Sequence, residues 1–181
     1  MPTAESLELL LSSGAVTWDG ELRGDGLLLR LGTPIQPLVA PDAVVDLADQ
    51  ASIDTLYGEQ VTDWTTHDLA PGQMVLAPTS EPVGLGPHVM GQIGGLSHLA
   101  RVGLAVHVTS PFVLPGWSGH LTLELVNHSP ATLRLHRGMP LARLLLQAQG
   151  KGHAAAVHPY YGQPHDLKSR YADEFAGLNK R

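Results

Sequence analysis

From Leu69 onward the chain is a succession of short apolar runs separated by turn residues about every ten positions, which is a rhythm of strands and tight turns. The runs fall in residues 71–83, 89–93, 104–109, 119–127, 131–136 and 141–149. The 20 glycines and 14 prolines are many for helices and suit such turns. One run is especially regular. In His120-Leu121-Thr122-Leu123-Glu124-Leu125 the three leucines share one face and His120, Thr122 and Glu124 share the other, because strand side chains alternate with period two. A strand that buries its leucine face holds Glu124 on a surface or in a cleft. A solvated surface glutamate fits that alternation as well as a functional acid does.

The expected fold is therefore all-β, with one or two short helices. Thr3 to Ser13 reads as a helix with Thr3 as N-cap, Glu5 in the first turn and Gly14 at its end. Gly26 to Gly32 reads as a buried strand bracketed by glycines, whereas Pro41 to Asp54 fits either a strand and turn or a helical turn or two. The 181 residues form one expected domain, since no repeat, low-complexity segment or charged linker divides them. No run approaches the length of a membrane span, and the N-terminal stretch lacks the basic region of a secretory signal. With no cysteine there is no disulfide, thiolate nucleophile or thiolate metal site, and the cytoplasm is the expected compartment. The formal charge of −6 argues against DNA or RNA as partner, which would need a basic face. A single nucleotide needs only one or two well-placed cations.

The segment between Gly95 and Glu124 carries the most specific signal. It contains Gly95-Leu96-Ser97-His98-Leu99-Ala100-Arg101-Val102-Gly103-Leu104, then His107-Val108-Thr109-Ser110, Pro115-Gly116-Trp117-Ser118-Gly119 and Thr122-Leu123-Glu124. In order and spacing this resembles the trimeric dCTP deaminase and dUTP pyrophosphatase superfamily, and its deaminase branch most closely. Weaker likeness extends through Leu69 to Gln73 and Arg137 to Met139. The resemblance implies a distorted β-barrel of the dUTPase-like, β-clip type. It also implies a homotrimer with sites between subunits, and a deoxycytidine nucleotide carrying Mg²⁺ on its triphosphate.

The same likeness implies roles for particular residues. Glu124 stands where the family has its proton-shuttling acid, with Ser97 and Arg101 as anchors for the water and the transition state. Leu96, His98, Leu99 and Ala100 surround that pair. Val108, Thr109 and Ser110 would line the base, and Leu114, Trp117, Thr122 and Leu123 would complete the pocket. Trp117 equally fits a core aromatic at a tight turn. In the C-terminal stretch 158–181, Tyr160 or Tyr161 followed by Ser169-Arg170-Tyr171 and Glu174 matches a tail that folds over the nucleotide, although a frayed end reads the same. Deamination at C4 of cytosine needs a water at the ring carbon and a proton relay to N3 and the leaving amine, which a single carboxylate can provide. The zinc route uses a cysteine signature that this chain lacks, and the ten histidines show no paired ligand spacing, so no protein-bound zinc is expected.

The pattern also breaks. Leu96 replaces a basic residue, Leu114 the aspartate that meets the sugar, Phe112 an arginine and Glu174 a glutamine, and Gly26–Leu31 lacks two polar groups of the family's early strand. Losing one charged phosphate contact costs about 1.5–3 kcal/mol, roughly ten- to a hundredfold in affinity. His98 replaces a serine, where it adds charge or stands by as a spectator. Three functions stay open: a dCTP deaminase producing dUTP and ammonia, a nucleotide-binding paralogue without turnover, and a dUTP pyrophosphatase. The last is disfavoured because leucine at 114 cannot orient a water.

Overall fold

The computed structural model describes residues 4–150 and 166–178. Their secondary structure is mostly strand, in four antiparallel sheets, with four short helices. The five-stranded sheet runs in the order Phe112–Val113, Val89–Gly95, Pro140–Ala148, Gly26–Arg30, Leu22–Arg23. The four-stranded sheet runs Gln36–Pro37, Met74–Pro78, Thr122–Asn127, Leu104–Ala105. A three-stranded sheet joins Val16–Thr17, Val83–Leu85 and Ser118–Gly119, and a two-stranded ribbon pairs Leu133–His136 with Thr66–Leu69.

The alternation in residues 120–125 becomes burial. Leu121, Leu123 and Leu125 are buried in the core, while Thr122 and Glu124 are half-buried on the opposite face. The core is built largely of leucine from all the sheets, including Leu27 and Leu29, Leu69, Leu85, Leu135, Leu141 and Leu144. In the ribbon, Arg134 and Asp68 are cross-strand neighbours joined by two hydrogen bonds of 2.6 and 2.8 Å. That guanidinium holds the Asp68 carboxyl below its ordinary range, and burial lowers the pKa of His67 next to it.

Most strand expectations hold, and two shrink: the run 71–83 is a strand at Met74–Pro78 and breaks before a separate strand begins at Val83. The run 104–109 is a strand only at Leu104–Ala105. The backbone then leaves the sheet, and the Val108 N–H turns to a side chain instead of a ladder carbonyl. The ambiguous stretch before residue 55 contains a helix, Gln50–Asp54, capped by the Asp49 side chain on the Ala51 N–H. The N-terminal helix spans Ala4–Ser12 and ends at Gly14, whose φ of 71° suits only glycine without strain; Thr3, its expected cap, lies outside the described residues. The tail contributes a further helix, Tyr171–Leu178.

Candidate active site

The four-stranded sheet carries the site. In its register Gln36 faces Leu76 across one strand pair and Leu76 faces Glu124 across the next, so the three side chains form one row on one sheet face. Above this face opens a cleft of about 550 Å³. Met74, Leu76, Thr122 and Glu124 line it from the sheet, and Leu38 from just past the end of its edge strand. Ile93, Ser110, Phe112, Val113, Leu114, Trp117 and Leu121 form a second wall. Tyr57 and the segment Leu167–Ser169 close a third side.

Glu124 is the one acid among the described lining residues, and its Oε2 accepts the Val108 N–H at 2.9 Å. The bond fixes the carboxylate's orientation and draws residues 106–110 over the end of the sheet. Two glycines make this geometry possible. Gly103 (φ 83°) turns the chain from the Ser97–Arg101 helix into the Leu104–Ala105 strand, and a Cβ there would lie 2.8 Å from the Ser129 nitrogen. Gly116 (φ 83°) makes the turn that presents Trp117. Trp117 packs against the core, lines the cleft and donates its indole N–H to the Gly119 carbonyl at 3.1 Å. His107 is half-buried with an unpartnered Nδ1 and does not line the cleft.

Of the residues singled out from sequence, Glu124, Ser110, Leu114, Trp117 and Thr122 line the cleft directly. Val108 contributes its backbone N–H, and Thr109 is exposed beside Ser110 without lining the cleft. Leu123 is fully buried and points into the core, so it supports the strand from behind. Ser97, His98, Leu99, Ala100 and Arg101 form a five-residue helix with Leu96 at its N-terminus. Ser97, His98, Ala100 and Arg101 are exposed, and none of the segment borders the cleft of the same chain. One chain alone therefore brings Glu124 together with Ser110, Leu114, Trp117 and Thr122, but not with Ser97 and Arg101. Arg170 pairs with Asp166, and Glu174 is exposed on the last helix. Tyr160 and Tyr161 lie outside the described residues.

Sequence reasoning missed Leu38, Tyr57, Met74, Leu76, Ile93, Val113, Leu121, Leu167 and Lys168. The strand Met74–Pro78 was legible, and its register to Glu124 was not. Tyr57 follows the helix in the ambiguous stretch and reaches the cleft through a bridge to Leu38, a pairing without local signature. Among the described residues no group of three or more potential metal ligands forms. No helix of the described residues is long and apolar enough to cross a membrane.

This architecture is that of the dCTP deaminases and dUTPases. A crystal structure of 2′-deoxycytidine 5′-triphosphate deaminase from Agrobacterium tumefaciens superposes with a TM-score of 0.59 at 19% identity, over 81% of this chain and 47% of that one. A native EIAV dUTPase superposes with a TM-score of 0.50 at 14% identity, over 80% of this chain and 97% of that one. These likenesses establish the fold. The family described as dCTP deaminase-like matches residues 11–149, and the chain belongs to it. A Methanosphaerula palustris protein named "dCTP deaminase, dUMP-forming" is 30% identical over 156 residues, 84% of this chain and 83% of that protein. A Salinispora tropica protein of the same name is 40% identical over 59% of this chain and 54% of its own length. A Tolumonas auensis protein named "dCTP deaminase" is 36% identical over 70% of this chain and 63% of its own length. The chain thus spans somewhat over half the length of these last two relatives.

Proposed function

We propose that the protein deaminates a cytosine deoxynucleotide hydrolytically, converting dCTP to dUTP and ammonia, with Glu124 as the proton shuttle. The observation that carries this reading is Glu124 itself, half-buried in a mostly apolar cleft and oriented by the Val108 N–H. Family membership and relatives named as dCTP deaminases support the same choice.

The steps follow from that placement. Glu124 accepts a proton from water as the oxygen bonds to C4 of the ring, and passes it to N3. A second proton goes from the added hydroxyl through Glu124 to the exocyclic amine, the C4–N4 bond breaks, and ammonia leaves a C4 carbonyl behind. Low polarity around the cleft strengthens each of these interactions. The backbone of Thr109 and Ser110 would meet the Watson–Crick edge, and Trp117 and Leu114 would bound the ring and sugar. Mg²⁺ arrives with the substrate's triphosphate.

Ser97 and Arg101 enter from a neighbouring copy in a homotrimer. Their exposure on a helix away from their own chain's cleft favours that arrangement. Arg101 then offsets charge on the water and ring in the transition state.

The name dUMP-forming, carried by two of the relatives, suggests a second reading in which pyrophosphate is released as well. Leu114 on the cleft wall favours dUTP as the product, since it has no polar atom to hold a second water. Ammonia and pyrophosphate measured separately from dCTP and dUTP test both readings. Ammonia alone, from dCTP alone, is the expected result. Pyrophosphate in step with ammonia establishes the second reading. Nucleotide binding without either product makes the chain a binding paralogue.

A further inference from the structure

The third side of the cleft is a strap clasped from below. Leu167 is 5% exposed and anchors it. The Ser169 N–H donates to the Tyr57 hydroxyl at 2.9 Å, and the Ser169 carbonyl accepts from Gln50 Nε2 at 2.8 Å. Between these two fixed residues stands Lys168, whose ammonium lies 5.6 Å from the centroid of the Tyr57 ring. Both Lys168 and Tyr57 line the cleft, and Lys168 is the one cation among its described lining residues. Arg170, two residues on, pairs with Asp166.

We propose that Tyr57 is a positioning residue that seats the 167–169 strap and thereby holds Lys168 as the cation that reads the anionic end of the ligand. An ammonium 5.6 Å from the centroid of a half-buried tyrosine ring is held weakly. A charge-assisted bond to a phosphate oxygen is about twice as strong as a neutral hydrogen bond. The ring therefore parks the ammonium at the cleft wall without competing with a phosphate. The backbone bonds to Tyr57 and Gln50 restrict the main chain around Lys168, so less freedom is lost when a phosphate binds. The strap's contribution is specific to charge, because Lys168 can add nothing to a ligand that lacks phosphate.

The inference rests on the nucleotide reading of the cleft, and its test separates the two. With Glu124→Gln in every protein so that dCTP is not consumed, titration calorimetry with dCTP and with deoxycytidine is run on the otherwise wild-type chain, Lys168→Ala, Lys168→Arg, Tyr57→Phe, Tyr57→Ala and the Tyr57→Ala/Lys168→Ala double variant, and ammonia release is read on the wild type. Lys168→Ala is expected to weaken dCTP by about tenfold and deoxycytidine by less than about twofold, the loss of one charge-assisted contact. Lys168→Arg restores most of the dCTP affinity. Tyr57→Phe keeps the ring, loses the Ser169 acceptor and falls between. The double variant is no weaker for dCTP than the worse single variant, because both act through one group. Equal losses for dCTP and deoxycytidine in Lys168→Ala, or additive losses in the double variant, overturn the clasp. Lys168→Ala alone decides the matter if Tyr57→Ala fails to fold. Selective dCTP binding without ammonia removes the deaminase reading and leaves the clasp standing. An otherwise wild-type chain that binds neither ligand overturns both.

Discussion

Replacing Glu124 with glutamine separates chemistry from packing. The wild-type carboxylate accepts the Val108 N–H at 2.9 Å. Glutamine keeps the length of the side chain and an oxygen acceptor, so that bond survives in neutral form. Charged acceptors contribute about 1.5–3 kcal/mol and neutral ones about 0.5–1.5, so the expected cost in stability is about 1 kcal/mol. For a chain of this size that is roughly 2–4 °C in Tm. The carboxamide, however, can neither take a proton from water nor return one to N3. Positioned acid–base catalysis contributes about 10²- to 10⁴-fold, and the same group acts here in every transfer. Ammonia release from dCTP should therefore fall by at least about a hundredfold, while the melting temperature and the dissociation constant for dCTP change little. The assay is coupled ammonia detection beside a thermal melt. A Glu124→Gln protein that retains more than about a tenth of wild-type kcat would refute the shuttle. So would a loss of activity fully explained by unfolding.

Other expectations follow from burial and charge. Leu123→Ala, at a fully buried core position, should cost about 2–5 kcal/mol in chemical denaturation, whereas Thr122→Ala on the cleft face should change stability by less than about 0.5 kcal/mol. Reversal of that order would contradict the register of the strand. Burial holds the His67 pKa below its ordinary value of 6.5, so the unfolded chain takes up that proton at a higher pH than the folded one does. Stability should then fall as pH drops below about 6.5, and His67→Gln should flatten that part of the Tm profile; an unchanged slope would contradict it. Leu114→Asp would add an acid to the cleft wall. Placed where the family likeness has an aspartate against the sugar hydroxyl, it should lower the KM for dCTP by about three- to tenfold, and steady-state kinetics beside wild type check this.

Local patterns made much of the fold legible. Period-two burial in residues 120–125, turn glycines such as Gly103 and Gly116, and the long run ending at Ala148 all depend on neighbours in sequence. The acid face of the Glu124 strand was readable for the same reason. What stayed hidden depends on distant pairing. Leu76 reaches Glu124 only through strand register, and Tyr57 reaches the cleft only through its bridge to Leu38 and its bond from Ser169. Nothing near Tyr57 distinguishes it from an ordinary surface tyrosine after a short helix. The strand expected over 104–109 was too long because its alternation is real but Val108 bonds a side chain, a preference that periodicity does not encode. The Ser97 and Arg101 motif was legible as a pair, yet its own chain's cleft lies elsewhere.

That separation makes subunit mixing the most direct test of the account. Glu124→Gln and Arg101→Ala proteins are each expected to be nearly inactive. If each site draws its acid from one chain and its arginine from a neighbour, dissociating and reassociating equal amounts should restore activity to about a quarter of the wild-type value, the random share of sites with both residues intact. Verified hybrid oligomers that stay as inactive as their parents would contradict a site shared between chains.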